Sequence, residues 1–321
     1  MLARHAENLF WAGRYVERAE NTARILDATQ HGTIIRPDAA VQWGDLLTVL
    51  RVFTEFSATG RDVNGREVSN FLVADPDNPG SVLSAVRTAR ENLRSVREHL
   101  PTEMWEAANR FHHDLEARDL DFDLDGEPYT LFQTIKNRCQ SMTGVIEQNM
   151  PRDDGYRFLV IGMLLERAVM TTRLLRTRWA HLSTGTFDDA HLTLSSVSAV
   201  EAFRRLHSPS LEPMPVVRFL LRNEVFPRSV LYCLIRTETL LGQLSDQPPD
   251  RGRTETVLGR TRSNLQFAEI NHPSVDLPSF CAELDDGIRA VADSMAVQYF
   301  RSTDLLAGSA GSHVVSVEGR R

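Results

Sequence analysis

The residues best placed to do chemistry sit near the start of the chain. Between Gly13 and Arg24 runs GRYVERAENTAR, which packs Arg14, Glu17, Arg18, Glu20, Asn21 and Arg24 into an otherwise apolar segment. At about 100° per residue, Phe10, Arg14, Asn21 and Arg24 fall within about 60° of Glu17 on one helical face. Arg18 lies round the side, near Trp11. Most of the remaining circumference is apolar or small: Leu9, Trp11, Ala12, Tyr15, Val16, Ala19, Ala23 and Leu26. Such a helix is buried on most sides. A carboxylate there needs a cationic partner, because an unpaired buried charge costs several kcal/mol or takes up a proton. Two chemistries fit the set. A fully paired network would fix helix register. An open cleft beside Glu17, lined by Arg14, Asn21 and Trp11, would bind an anionic ligand or let a glutamate act as a base.

The segment has a second copy. Gly13, Glu17, Arg18, Ala19, Thr22, Arg24 and Leu26 recur 149 positions later as Gly162, Glu166, Arg167, Ala168, Thr171, Arg173 and Leu175. Phe71, Leu72, Pro79, Ser81, Val82 and Leu83 recur 148 positions later as Phe219, Leu220, Pro227, Ser229, Val230 and Leu231. Two matches at nearly one offset, in one order, read as a tandem duplication with its seam near Pro151. The two Glu-Arg helices are then expected side by side about a pseudo-twofold axis. Glu17 would pair with Arg167 or Arg173, and Glu166 with Arg18 or Arg24. Met163 and Met170 replace Arg14 and Asn21, so any site using those two polar residues is one-sided. Arg14 and Asn21, beside Trp11, are the first place to look for binding.

Helices must position these groups. Apolar residues step by 3 and 4 through Val82, Val86, Ala89, Leu93, Val96 and Leu100; through Phe132, Ile135, Cys139, Met142 and Ile146; and through Phe280, Leu284, Ile288, Val291 and Met295. No alternating strand pattern interrupts them. The expectation is an all-α, tandem-duplicated helical bundle of about ten to twelve helices. Residues 1–306 form one domain of two repeats, about 1–150 and 151–306, and 307–321 form a disordered tail. Asn78 before Pro79 reads as an N-cap, and Thr102 as another. Residues 121–128 read as a polar link, 151–155 as a break and 247–252 as a loop.

Other clusters read as surface. Arg87, Arg90, Arg94 and Arg97 with Glu91 and Glu98 make a solvated face of weak pairs. His112, His113, Asp114 and Glu116 offer one i,i+4 His/Glu pair on an exposed face, short of the three protein ligands a catalytic metal commonly takes. No metal and no cofactor is expected. HExxH, GxSxG and GxxxxGK patterns are all missing. Cys139, Cys233 and Cys281 are far apart, form no CxxC, and read as core side chains of a reducing cytoplasm.

Composition agrees. The 321 residues are 42% hydrophobic and 25% charged, with a net charge of −7 and a single lysine, Lys136. That balance disfavours a nucleic-acid binder. Glu7, Arg14 and Glu17 rule out a signal peptide or membrane span at the start, so no membrane partner is expected.

LARHAENLFWAGRYVERAENTARIL resembles the opening signature of the alpha-E domain family of bacterial all-helical proteins. ARENLRSVREHLPTEMWEAAN and FLVIGMLLERAVMTTRLL resemble its second and third blocks. The resemblance runs in order over essentially the whole chain. It implies a circularly permuted ATP-grasp protein as partner, with a transglutaminase-like protease in the same system. A non-catalytic helical partner, or a protein that presents the acceptor substrate to an amide or peptide ligase, is the expected role. A homo-oligomer is compatible with it. The alternative is an enzyme acting on a carboxylate-bearing peptide or amino acid through Trp11, Arg14, Glu17, Arg18, Asn21, Arg24, Glu166, Arg167 and Arg173.

Overall fold

The computed structural model describes residues 1–35, 39–207, 211–245, 253–270, 272 and 275–300. The expected loop at 247–252 and tail at 307–321 lie outside them. The described residues form α-helices and no strand. In chain order the helices are α1 Ala3–Ile35, α2 Ala39–Val49, α3 Phe53–Ala58, α4 Gly65–Val73, α5 Val82–Ser95, α6 Thr102–Glu116, α7 Leu120–Gly126 and α8 Pro128–Asn149. They continue as α9 Asp154–Leu182, α10 Phe187–Ser195, α11 Val200–Leu206, α12 Pro213–Arg222, α13 Val230–Gly242, α14 Arg253–Phe267 and α15 Leu277–Met295. The all-α class is as expected. Fifteen α-helices among the described residues exceed the ten to twelve anticipated, because short helices occupy stretches that lack a long apolar period.

The two long Glu-Arg helices, α1 and α9, form the centre. α5 and α8 flank α1, while α13 and α15 flank α9. Outside them, α6 packs on α5 and α8, and α14 packs on α13 and α15. α2 and α10 each touch both central helices. Apolar side chains of both halves join one continuous buried cluster. The two central helices are buried on nearly every side, which explains why their sequences carry so little amphipathic contrast. The chain passes from α8 to α9 in a few residues, and Asp153 caps α9 by accepting from the Tyr156 N–H.

Close approach of α1 and α9 depends on two glycines. A Cβ on Gly13 would overlap the Leu159 carbonyl, and one on Gly162 would overlap the Phe10 carbonyl. Phe10 and Leu159 are 149 positions apart, so the two contacts are reciprocal. Neither neighbour is a side chain that could turn away; both are backbone.

Three local expectations change. Ser81, not Asn78, caps α5, accepting from the Ser84 N–H. Asn78 is spent otherwise: its Oδ1 takes the Gly80 N–H and its Nδ2 reaches the Phe71 carbonyl. Thr102 is the first residue of α6, and Pro101 stands at the cap with no side-chain bond. The polar link at 121–128 is largely helical. Asp119 caps α7, and Leu120 and Leu124, one turn apart, are buried beneath it.

Two turns repeat in detail. After α2, the Val52 N–H bonds the Leu47 carbonyl and Arg51 takes φ of 58°. After α10, the Ala199 N–H bonds the Leu194 carbonyl and Ser198 takes φ of 50°. Left-handed backbone at a non-glycine residue costs roughly 1–2 kcal/mol, and both examples end beside the central charge network.

Candidate functional site

The α1–α9 crossing carries two carboxylates in the protein interior. Glu17 is 0% exposed and Glu166 is 2% exposed. Each is gripped by the arginine that follows the other glutamate. Arg167 donates Nε to Glu17 Oε1 at 2.9 Å and Nη2 to Oε2 at 2.6 Å. Arg18 donates Nε to Glu166 Oε1 at 2.7 Å. Each glutamate has a second arginine too. Arg228 reaches Glu17 Oε1 at 2.9 Å, and Arg14 reaches Glu166 Oε2 at 2.8 Å.

Their electrostatics follow from this enclosure. Burial pushes the Glu17 carboxyl up, but the Arg167 and Arg228 guanidiniums overcome it and leave it at about 2. Burial raises Glu166 likewise, and Arg18 and Arg14 bring it down to about 2. Both carboxylates are therefore ionised at neutral pH. Neither has the raised pKa that a general acid or base needs there.

The sequence-derived partners divide cleanly. Of the alternatives anticipated, Arg167 rather than Arg173 holds Glu17, and Arg18 rather than Arg24 holds Glu166. Arg24 lies about two turns along from Glu17 and bonds Glu20 and the Ser198 hydroxyl. Arg173 bonds Asp285 at 3.3 Å, and Arg51 reaches the same carboxylate at 2.6 Å. Asp285 sits on α15 and is 1% exposed.

Arg14 and Asn21, the first candidates for binding, are part of the closed network. Arg14 is committed to Glu166, with its guanidinium 5.4 Å from the Trp11 ring and 5.8 Å from the Phe10 ring. Asn21 is buried and accepts from Arg228 at 2.8 Å. Trp11 is half-buried between Phe10 and Tyr15. The open cleft expected for a catalytic Glu17 is not formed. On this side Arg228 fills the space, bonding Glu17, Asn21 and Glu20 together.

Arg228, Asp285 and Arg51 are neighbours of the network that sequence reasoning passed over. A signal for Arg228 was present. It stands between the matched Pro227 and Ser229, where the first half has Gly80 between Pro79 and Ser81. On the Glu166 side this difference leaves a pocket of about 210 Å3 bounded by Arg18, Glu166, Met170, Arg173 and Gly80.

The remaining clusters are peripheral. Arg87, Arg94 and Arg97 are exposed as expected, and Arg90 lies with its guanidinium 5.3 Å from the Trp105 ring. His112 is buried on α6, correcting the expected exposed face, because that side of α6 packs on α5 and α8. His113 and Glu116 are exposed. The ligand atoms of these three lie within 4.8 Å of one another, so the face offers three groups rather than two. The three cysteines are buried and unpaired. Burial pushes Cys233 and Cys281 up to about 12 and Cys139 well above its ordinary value. Among the described residues, no helix is long and apolar enough to cross a membrane.

Comparison with known proteins agrees with this architecture. The chain is 26% identical to an uncharacterised protein of Mycobacterium bovis over 310 aligned residues, 88% of this chain. It is equally similar to uncharacterised proteins of two Mycobacterium tuberculosis strains. The match spans 35% of the length of each relative. No solved structure matches. The family description that matches residues 1–300 is a predicted alpha-helical domain with a conserved Glu-Arg motif. With its Glu17-Arg18 and Glu166-Arg167 pairs crossed at the molecular centre, the chain belongs to the alpha-E family.

Proposed function

We propose that this domain is a non-catalytic helical partner of an ATP-grasp amide or peptide ligase, holding the ligase or presenting its acceptor substrate in the cytoplasm. The observation that carries this reading is the closure of the Glu-Arg network. Glu17 and Glu166 are each wrapped by two arginines and held ionised, the state suited to fixing helix register rather than to moving protons. The enzyme alternative needs one of them free and near neutral in pKa, and the geometry gives it no support.

A second observation fits the role. The chain corresponds to about a third of each mycobacterial relative, so the helical unit recurs within longer polypeptides. A domain that works beside another is at home in that setting. The ATP-grasp identity of the partner comes from family resemblance, as does a transglutaminase-like protease in the same system. The repeated helix neighbours and repeated turns also support a tandem duplication about a pseudo-twofold axis.

The test is recovery of the partner. Affinity purification of the tagged chain from its native host is expected to bring down an ATP-grasp protein, and adding the pure chain to that ligase is expected to raise its amino-acid-dependent ATP turnover. Purification without any ATP-grasp protein, and turnover unchanged across the amino acids, would overturn the proposal.

A further inference from the structure

The two sides of the α1–α9 crossing differ in one decisive place. On the Glu17 side, the Arg228 guanidinium plugs the space between the network and the N-terminus of α13. On the Glu166 side, the matching position is Gly80, just before α5, and the space is open. The glycine is not required by its φ, which lies outside the left-handed region; a Cβ there would press on Asn78 Oδ1 at 3.2 Å, which would have to give by a few tenths of an ångström, and meet Val52 Cγ1 at 3.8 Å. What Gly80 does is leave room.

Charge and donors make that room specific. Arg18 spends Nε on Glu166, and Arg173 spends Nε on Asp285. Among the described residues, the terminal nitrogens of both guanidiniums make no further hydrogen bond, yet both side chains border the pocket and retain 27% and 17% exposure. Among the described residues, Arg14, Arg18, Arg51 and Arg173 pair with two carboxylates, Glu166 and Asp285; Arg289 also approaches Asp285, at 3.8 Å, while binding Asp286. Burial disfavours the Arg173 cation, and with the charge of Arg51 it outweighs the support from Asp285 and Glu166. Val52, Leu72 and Met170 supply an apolar floor.

We propose that this pocket binds a carboxylate carried on a short aliphatic stem, as in an amino acid or a peptide end, with Arg18 and Arg173 as its donors. Guanidinium edges match a planar carboxylate in geometry and charge. A phosphate dianion suits the site less, because Glu166 borders the pocket and Asp285 is already bonded to Arg173. The volume of about 210 Å3 lies below the ~300–1,000 Å3 of pockets for drug-sized ligands, so it accommodates an end group rather than a whole cofactor. This site goes beyond the ligase partnership: a failed purification of the ligase leaves it standing, and failure of the site leaves the partnership standing.

The experiment is calorimetric titration of the full chain with acetate, glutarate and L-glutamate, with inorganic phosphate as the other arm. Saturable binding of at least one carboxylate is expected. Gly80→Met, which fills the space and leaves every arginine in place, is expected to abolish it while circular dichroism stays unchanged. Arg173→Gln keeps the pocket shape and is expected to weaken binding about tenfold or more, the equivalent of one charge-assisted hydrogen bond; it serves alone if Gly80→Met does not fold. No binding by any carboxylate, unchanged binding in the folded variants, or binding of phosphate but no carboxylate would each overturn the proposal.

Discussion

Gly13 and Gly162 bring α1 and α9 into backbone contact, each lying against a carbonyl of the opposite helix, Leu159 for one and Phe10 for the other. That approach lets Arg18 and Arg167 cross over to the other helix's glutamate. Substituting alanine at either position forces the backbones apart. Each of Gly13→Ala and Gly162→Ala is expected to cost about 3 kcal/mol, the upper part of the overpacking range. Gly144 is the control: it lies within α8 with open space beside it. Gly144→Ala is expected to stabilise by roughly 0.4–1 kcal/mol. Equal melting temperatures for all three variants would contradict the close crossing.

Removing charge from the network is expected to destabilise the fold. Glu17→Gln leaves Arg167 without its carboxylate and Arg228 with Glu20 alone, and Glu166→Gln strips the carboxylate from both Arg14 and Arg18. Breaking a buried pair from one side costs about 3–5 kcal/mol. Chemical denaturation measures this directly. A variant as stable as the parent, with partner binding lost, would instead place the glutamates in a binding surface.

Acid sensitivity follows from the same two groups. Both carboxyls sit at about 2 in the folded chain, below their ordinary value of 4.5. A depressed carboxyl contributes stability that is fully present above the unfolded pKa and is lost as pH falls through the folded one. Stability is expected to decline steeply between about pH 4.5 and pH 2. The Glu17→Gln/Glu166→Gln double variant is expected to show a shallower decline over that window. Parallel curves for the parent and the double variant would rule these carboxyls out as the source.

The thiols are expected to be silent in the folded state. Cys139, Cys233 and Cys281 are buried, and burial holds all three thiols protonated near neutrality. Ellman's reagent at pH 8 is expected to label none of them quickly in buffer and all three in denaturant. A rapidly labelled native thiol would reveal an opening of the core.

Much of this arrangement was legible in the sequence, because repetition is visible without coordinates. The 149-residue offset paired Glu17 with Arg167 and Glu166 with Arg18 among its alternatives. The wheel around Glu17 also identified a buried polar face. What escaped were partners that arrive from elsewhere in the fold. Asp285 and Arg228 come from segments whose position depends on the packing of α13 and α15 against α9, which no local period encodes. The matched identities drew attention to Pro79 and Ser81, whereas the informative residue was the mismatch between them, Gly80 against Arg228. Short helices such as α7 were missed because two leucines one turn apart form too brief a pattern to separate from a polar loop.

The central claim is that Glu17–Arg167 and Glu166–Arg18 are reciprocal structural links between α1 and α9. A double-mutant cycle tests it most directly, measuring unfolding free energies for Glu17→Gln, Arg167→Gln and the pair, and likewise for Glu166→Gln with Arg18→Gln. Each cycle is expected to give a coupling energy of about 1–3 kcal/mol. Strictly additive losses in both cycles, with no coupling between glutamate and arginine, would contradict it.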